Sequence, residues 1–141
     1  MILDRENAFS QSQALTGTTL VPSTDVIDLS QIRQVGIGED LHIVINFEAA
    51  AGGTTPTITV ALQTDDNAAF SSAATVTTYL NAVSTPGASS QFVFNIPHQG
   101  LERFIRLAYT QGGTTPTTTV SAHIAVGSQY DIKMPSGFTV A

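Results

Sequence analysis

The hexapeptide Gly-Gly-Thr-Thr-Pro-Thr occurs twice, at residues 52–57 and 112–117. Each copy leads into a Thr- and Val-rich run: Ile58-Thr59-Val60-Ala61-Leu62 after the first, and Thr118-Thr119-Val120-Ser121-Ala122-His123-Ile124 after the second. Glycine accepts positive φ, so a Gly pair permits a tight reversal. Proline fixes φ and has no N–H, which places it at the mouth of a strand rather than in its middle. Thr and Val favour a pleated, half-buried strand. The repeat therefore predicts two turn-plus-strand units in a β architecture with two related pairs of neighbouring strands. Two independent hairpins of similar composition are the other reading.

The rest of the chain agrees with an all-β fold. Leu41, Ile43, Ile45 and Phe47 alternate onto one face, with His42, Asn46 and Glu48 on the other and Val44 as an apolar exception. Residues 49–56 read as a loop, and Ile58, Val60 and Leu62 point inward from the next strand. Further strands are predicted at residues 26–29, 75–80, 91–96, 102–110 and 118–126, while glycines 36 and 38 mark a turn. About eight short strands with no amphipathic helix predict an antiparallel β-sandwich of jelly-roll type, with a barrel as the alternative. The expected organisation is an N-terminal arm with one helical turn at 1–24, the sandwich at 25–126, and a C-terminal tail at 127–141 packed on or beside it.

At 141 residues one domain is expected, burying about two-thirds of its unfolded surface. Charged residues make up 11%, against about 25% in a typical domain. Hydroxyls and amides must supply the exterior, which suits packing beside copies of itself or a large partner; a neutral-surfaced β domain is the plainer reading. The net charge is −6, with only Arg5, Arg33, Arg103, Arg106 and Lys133 basic. No basic stripe exists for phosphates, so nucleic acid is not an expected partner. No stretch has the length of a membrane-spanning helix, and the acidic start does not read as a secretory signal. Synthesis in the producer's cytoplasm, with exit only by lysis, is the expectation. With no cysteine, thiolate metal sites are excluded and redox compartment is not legible.

Catalytic chemistry is hard to find. His42 and His123 fall on predicted outward strand faces and His98 in a loop, without metal-ligand spacing. Asp65-Asp66-Asn67 offers oxygens to calcium, but its acids are adjacent rather than alternate, and a polar hairpin turn is favoured. Asp25, Asp28, Glu39, Asp40 and Glu48 are the acids from which a carboxylate pair for glycoside hydrolysis would come, and solvated strand ends explain them as well. No Gly-x-Ser-x-Gly elbow and no phosphate cradle is present. No enzyme, cofactor or metal is expected.

Several blocks resemble the capsid cement (decoration) proteins of tailed bacteriophages. They are Met1-Ile2-Leu3-Asp4, Thr24-Asp25-Val26-Ile27-Asp28-Leu29, Val35-Gly36-Ile37-Gly38-Glu39-Asp40-Leu41, the run from Ala61 to Phe70 containing Asp65-Asp66-Asn67, and Glu102-Arg103-Phe104-Ile105-Arg106-Leu107. The similarity runs from the first residue to about residue 126. It implies a non-enzymatic jelly-roll protein on the outside of an icosahedral head, bound to the major capsid protein and self-associating as a dimer or trimer. On that footing Ile2, Leu3, Arg5 and Phe9 of the arm, with Arg103 and Arg106, are the candidate capsid or subunit contacts. A receptor- or glycan-binding module of a phage tail or fibre is the competing expectation; the chain's lack of Trp weighs against exposed aromatic platforms for sugar.

Overall fold

A computed structural model of the chain describes residues 5–30 and 41–126. A 3-10 turn at Arg5–Asn7 precedes eight strands: β1 (Ala8–Thr16), β2 (Val21–Pro22), β3 (Ile27–Asp28), β4 (Leu41–Phe47), β5 (Gly52–Asp65), β6 (Ala74–Ser84), β7 (Ser90–Asn95) and β8 (Phe104–Val126). Every pairing is antiparallel, and all eight belong to one sheet. The sheet curls into a half-barrel. No α-helix occurs among the described residues. The expected arm contains the one helical turn, but from Ala8 it is a nine-residue strand paired with β8. Glycines 36 and 38 and the expected tail lie outside the described residues.

The 23-residue β8 organises the sheet. Along one side it pairs with β3, β2 and β1 in turn, and along the other with β5 and then β4. β7 pairs with β4, and β6 with β5. Four long antiparallel paths therefore cross the molecule: 8–28, 41–65, 74–95 and 104–126. The first three are interrupted between strands while β8 runs unbroken, and each path contributes to both halves of the sheet. One half runs β1, β8, β4, β7; the other runs β2 and β3, β8, β5, β6. Ser23 carries the ladder between β2 and β3, its N–H donating to Leu107 O (2.7 Å) and its Oγ accepting from Leu107 N (3.1 Å).

Alternation along these paths builds one core from both halves. Phe9, Leu15, Ile43, Ile45, Phe47, Val120 and Ala122 come from one half; Ile58, Val60, Leu62, Ile105, Leu107 and Tyr109 come from the other. Burying each large side chain contributes about 1.5–3 kcal/mol, before the entropy of ordering the chain. Tyr109 keeps its hydroxyl satisfied by sharing a 2.9 Å hydrogen bond with Ser10 Oγ. Val44, the apolar exception on β4, is buried as well, so β4 is covered on both faces.

The two hexapeptides do not reverse the chain. They lie inside β5 and β8 and pair with each other, Gly52 opposite Thr117 and Thr57 opposite Gly112. The arrangement has a local two-fold. Gly53 (φ 92°) lies over the carbonyls of Thr114 and Thr115, and Gly113 (φ 103°) over those of Thr54 and Thr55. Thr55 and Thr115 take matching positive φ, 46° and 48°. The symmetry extends outward: Gly17 N donates to Pro116 O (3.1 Å) where β1 ends, and Thr85 N donates to Pro56 O (3.0 Å) where β6 ends. In sequence the relation spans residues 41–65 and 101–125, where Leu41 and Leu101, Ile45 and Ile105, Thr59 and Thr119, and Val60 and Val120 flank the shared hexapeptide. Of the expected loop at 49–56, residues 49–51 do connect β4 to β5, while 52–56 form a corner within β5. Proline is accommodated there because the register shifts twice between Gly52 and Thr57, leaving no regular ladder bond for its missing N–H.

A Cβ at Gly53 would stand 2.5 Å from Thr114 O, and one at Gly113 2.7 Å from Thr54 O, in each case against backbone. Gly53→Ala and Gly113→Ala are each expected to cost on the order of 1–3 kcal/mol from the positive φ alone, with the clash in addition. Gly17→Ala also faces positive φ but open space, and should cost less. Urea unfolding of the three variants checks the ranking.

Candidate functional site

The residues singled out from the sequence do not converge on one site. Ile2 and Leu3 lie outside the described residues, and Arg5 opens the 3-10 turn. Phe9 is fully buried in the core. Its position follows from β1, whose pairing with β8 turns Phe9 and Leu15 toward the shared interior. In this conformation Phe9 holds the half-barrel together and offers no surface to a neighbour.

Arg103 immediately precedes β8 and Arg106 lies near its start, where β3 and β5 flank it. Arg103 makes a two-pronged contact with Asp28 of β3, Nε to Oδ1 and Nη2 to Oδ2 at 2.9 Å each, and lies 4.8 Å from the Phe104 ring centroid. The Asp28 hydrogen bonds, then its charge, raise the Arg103 pKa. Both side chains are nearly half exposed, so the pair is worth little stability. Arg106 donates from Nε to Gln63 Oε1 (2.9 Å) and stacks 4.2 Å above the Phe70 ring. Partial burial lowers its pKa, and the nearby Asp65 charge offsets this in part. Both guanidinium groups are engaged within the chain.

Asp65, Asp66 and Glu102 bring carboxylate oxygens within 4.8 Å of one another. Asp65 is buried and already committed: Oδ1 accepts Asn67 N (3.0 Å) and Oδ2 accepts Ser72 N (2.8 Å). Burial raises its pKa, and the hydrogen bonds from Asn67 and Ser72 outweigh that, so the carboxyl is held below its ordinary range. This is the geometry of a turn clamp, in which a carboxylate replaces missing backbone acceptors. Glu48 closes a second polar clamp: it accepts Ser12 Oγ (2.8 Å) and Ser121 Oγ, while Ser12 N donates to Ser121 Oγ (2.8 Å). Ser12 sits at φ 46° in a β1 bulge. Ala82 (φ 47°) occupies the matching bulge in β6, its N–H capped by Thr59 Oγ1 (2.9 Å). Of the acids considered for hydrolysis, Asp28 and Glu48 are thus bound into structure, and Glu39 and Asp40 lie outside the described residues.

His123 was expected on an outward face. It does lie on the face of β8 opposite the core, across from Val44, but it is only 5% exposed and its Nε2 has no hydrogen-bond partner among the described residues. Burial lowers its pKa.

What the sequence reading missed is a distribution. Between Asp66 and Glu102 there is no Asp, Glu, Lys or Arg. That interval holds β6, β7 and their connection. Tyr79 stacks on Phe94 (4.8 Å between centroids), Phe94 is parallel to Phe92 at 6.1 Å, and Phe92 meets Phe47 edge-on at 6.0 Å. Tyr79 OH donates to Asn95 O (3.0 Å), and burial raises its pKa. These rings tie β6 to β7 across the open side of the half-barrel. A count of charges along the chain would have found this interval.

The family model named Bbp16 matches residues 9–126, which spans the eight strands apart from Ala8 at the start of β1. The chain belongs to the Bbp16 family. That name is phage-related. No curated protein matches the chain. The Bbp16 match begins at Phe9 and ends at Val126, so it takes in the rest of β1 and the whole of β8 and covers both hexapeptides.

Phe9→Ala is expected to lower the unfolding free energy by about 3–5 kcal/mol, as for other buried aromatic truncations. Arg103→Ala should change it by about 1 kcal/mol or less. Chemical denaturation of the two variants separates core from surface. His123 gives a pH dependence. Its folded pKa is depressed below the ordinary 6.5, so the unfolded chain binds the proton more readily. Stability is complete above the unfolded value and is lost as pH falls through the folded one. His123→Leu should flatten the denaturation midpoint below pH 6.5, where the parent chain declines.

Proposed function

We propose that the protein is a structural component of a phage virion that binds the outside of the capsid and cements adjacent capsomers. Membership of the Bbp16 family over residues 9–126 carries this reading. The blocks quoted above that resemble capsid cement proteins support it. So does the order of segments. In a jelly roll, four long antiparallel paths each supply one segment to two four-stranded sheets. Here the neighbours β1, β8, β4, β7 and β2/β3, β8, β5, β6 have that pattern, and we read the half-barrel as such a sandwich. The proposed partners are the major capsid protein and further copies of this chain. The proposed location is the outer surface of the head, after synthesis in the host cytoplasm.

The mechanism is thermodynamic. A protein that binds only the assembled shell stabilises it by mass action, by about 2.7 kcal/mol per site at a hundredfold excess over Kd. An oligomer that touches two capsomers makes its second contact intramolecularly and gains about 10²–10⁴ in avidity. Summed over a shell, such contacts oppose the pressure of packaged DNA without chemistry.

Heads stripped of this protein and then restored with it should disrupt at a higher temperature than stripped heads, and the protein should co-sediment with them. Equal disruption temperatures with and without it would sink the reading.

A further inference from the structure

We infer that two copies of this chain join through β7, pairing antiparallel about a two-fold axis at Val93. This names the surface for the self-association proposed above, and it rests on that reading only for its setting on a shell.

A curled sheet has edges, and unprotected edges recruit other strands. The edges here differ. β1 carries two register shifts, with Ser12 at positive φ. β6 carries three, with Ala82 at positive φ. β2 and β3 are two residues each, and β3 bears the Asp28–Arg103 ion pair. Bulges, short strands and charges are the usual protections. β7 has none of them. Its six residues pair with β4 in unbroken register, without proline or charge, and among the described strands β4 is its only partner.

The backbone of β7 is set for a second partner. Ile96 N donates to Leu41 O. Antiparallel alternation then turns the N–H and C=O of Ser90, Phe92 and Phe94 toward β4, and those of Gln91, Val93 and Asn95 toward the open edge. Asn95 O already accepts Tyr79 OH, which leaves a lone pair for one more donor.

The occupant follows from sequence symmetry and charge. Gln91-Phe92-Val93-Phe94-Asn95 reads nearly the same in both directions. Antiparallel pairing about Val93 sets Val93 opposite its mate, each Phe92 opposite a Phe94, and each Gln91 opposite an Asn95. The aromatic pairs are favourable cross-strand neighbours, and no like charges face each other. Gln91, Val93 and Asn95, whose backbone points outward, would form the hydrogen-bonded pairs of this register. Such self-matching defines a two-fold contact, in which one patch serves both subunits. Copies that each carry −6 repel, and the interval between Asp66 and Glu102 is where they can meet without placing like charges together. Val93 is 36% exposed, so its outer face is available.

The test uses the full chain in sedimentation equilibrium. The parent should be a dimer. Val93→Lys puts two ammonium groups opposite each other at the axis and should weaken association by about tenfold or more. Val83→Lys, at a similarly exposed valine on β6, should leave it unchanged. Since the chain has no cysteine, Val93→Cys should give a single covalent dimer on mild oxidation, which also serves if the lysine variant misfolds. A monomeric parent, a trimer, a Val93→Lys dimer as tight as the parent, or failure of Val93→Cys to cross-link would each overturn the inference. A monomer that still raises head stability would overturn it and leave the cement reading standing. A β7-linked dimer that ignores heads would do the reverse.

Discussion

The fold hangs on one close contact made twice. Gly53 and Gly113 each press their backbone against two carbonyls of the other hexapeptide, at a separation that no Cβ permits. Because the contact is reciprocal, β5 and β8 bend at the same place and in the same sense. Their far segments stay paired on either side of the corner, β8 first with β5 and then with β4. The inward faces of both halves then enclose the same volume, which is why Phe47 and Val120 share a cluster with Val60 and Leu107. Hydrophobic burial supplies the driving force, but it is non-directional; the glycine corner fixes where the sheet turns.

The same corner sets the edges. β1 and β6 are each anchored at their ends by an N–H given to a proline carbonyl of the corner. Each also carries a bulge whose N–H is capped by a hydroxyl on the inner strand, Ser121 for β1 and Thr59 for β6. Hydroxyls thus do structural work that a more charged chain would give to ion pairs. β7 lies beyond this symmetry. It is held by β4 and by the Tyr79, Phe94 and Phe92 stack, and its regularity is the exception among the outer strands.

Much of the strand content was legible because period-two alternation survives wherever one face is buried: Leu41 to Phe47 and Gln91 to Ile96 were read nearly to their limits. The repeat was legible as a feature and misread as a mechanism. Gly-Gly and Pro signal a reversal when each copy is considered alone; their mutual pairing needs the long-range fact that 52–57 meets 112–117. Phe9 was misplaced because residues 1–24 alternate poorly, β1 being bulged twice, so its pairing with β8 leaves no clean period. His123 was read as outward from a correct alternation, but alternation reports the face and not what covers it. Of the candidate contacts, Arg103 and Arg106 were chosen for charge, and their partners Asp28 and Gln63 lie 75 and 43 residues away, beyond any local pattern.

Low charge is usually discussed as a solubility question, and here it is also positional. Exposed charges interact over roughly a Debye length, about 8 Å at physiological ionic strength. An acidic protein crowded among copies of itself must therefore keep its carboxylates away from the surfaces that meet. In this chain Asp65, Asp66 and Glu102 lie at the two ends of an uncharged interval that contains both β6 and β7. Contacts formed on that interval draw on backbone hydrogen bonds and apolar area, neither of which salt screens. A protein held by such contacts would keep its grip as ionic strength changes, and the acids left outside would still keep neighbouring assemblies apart.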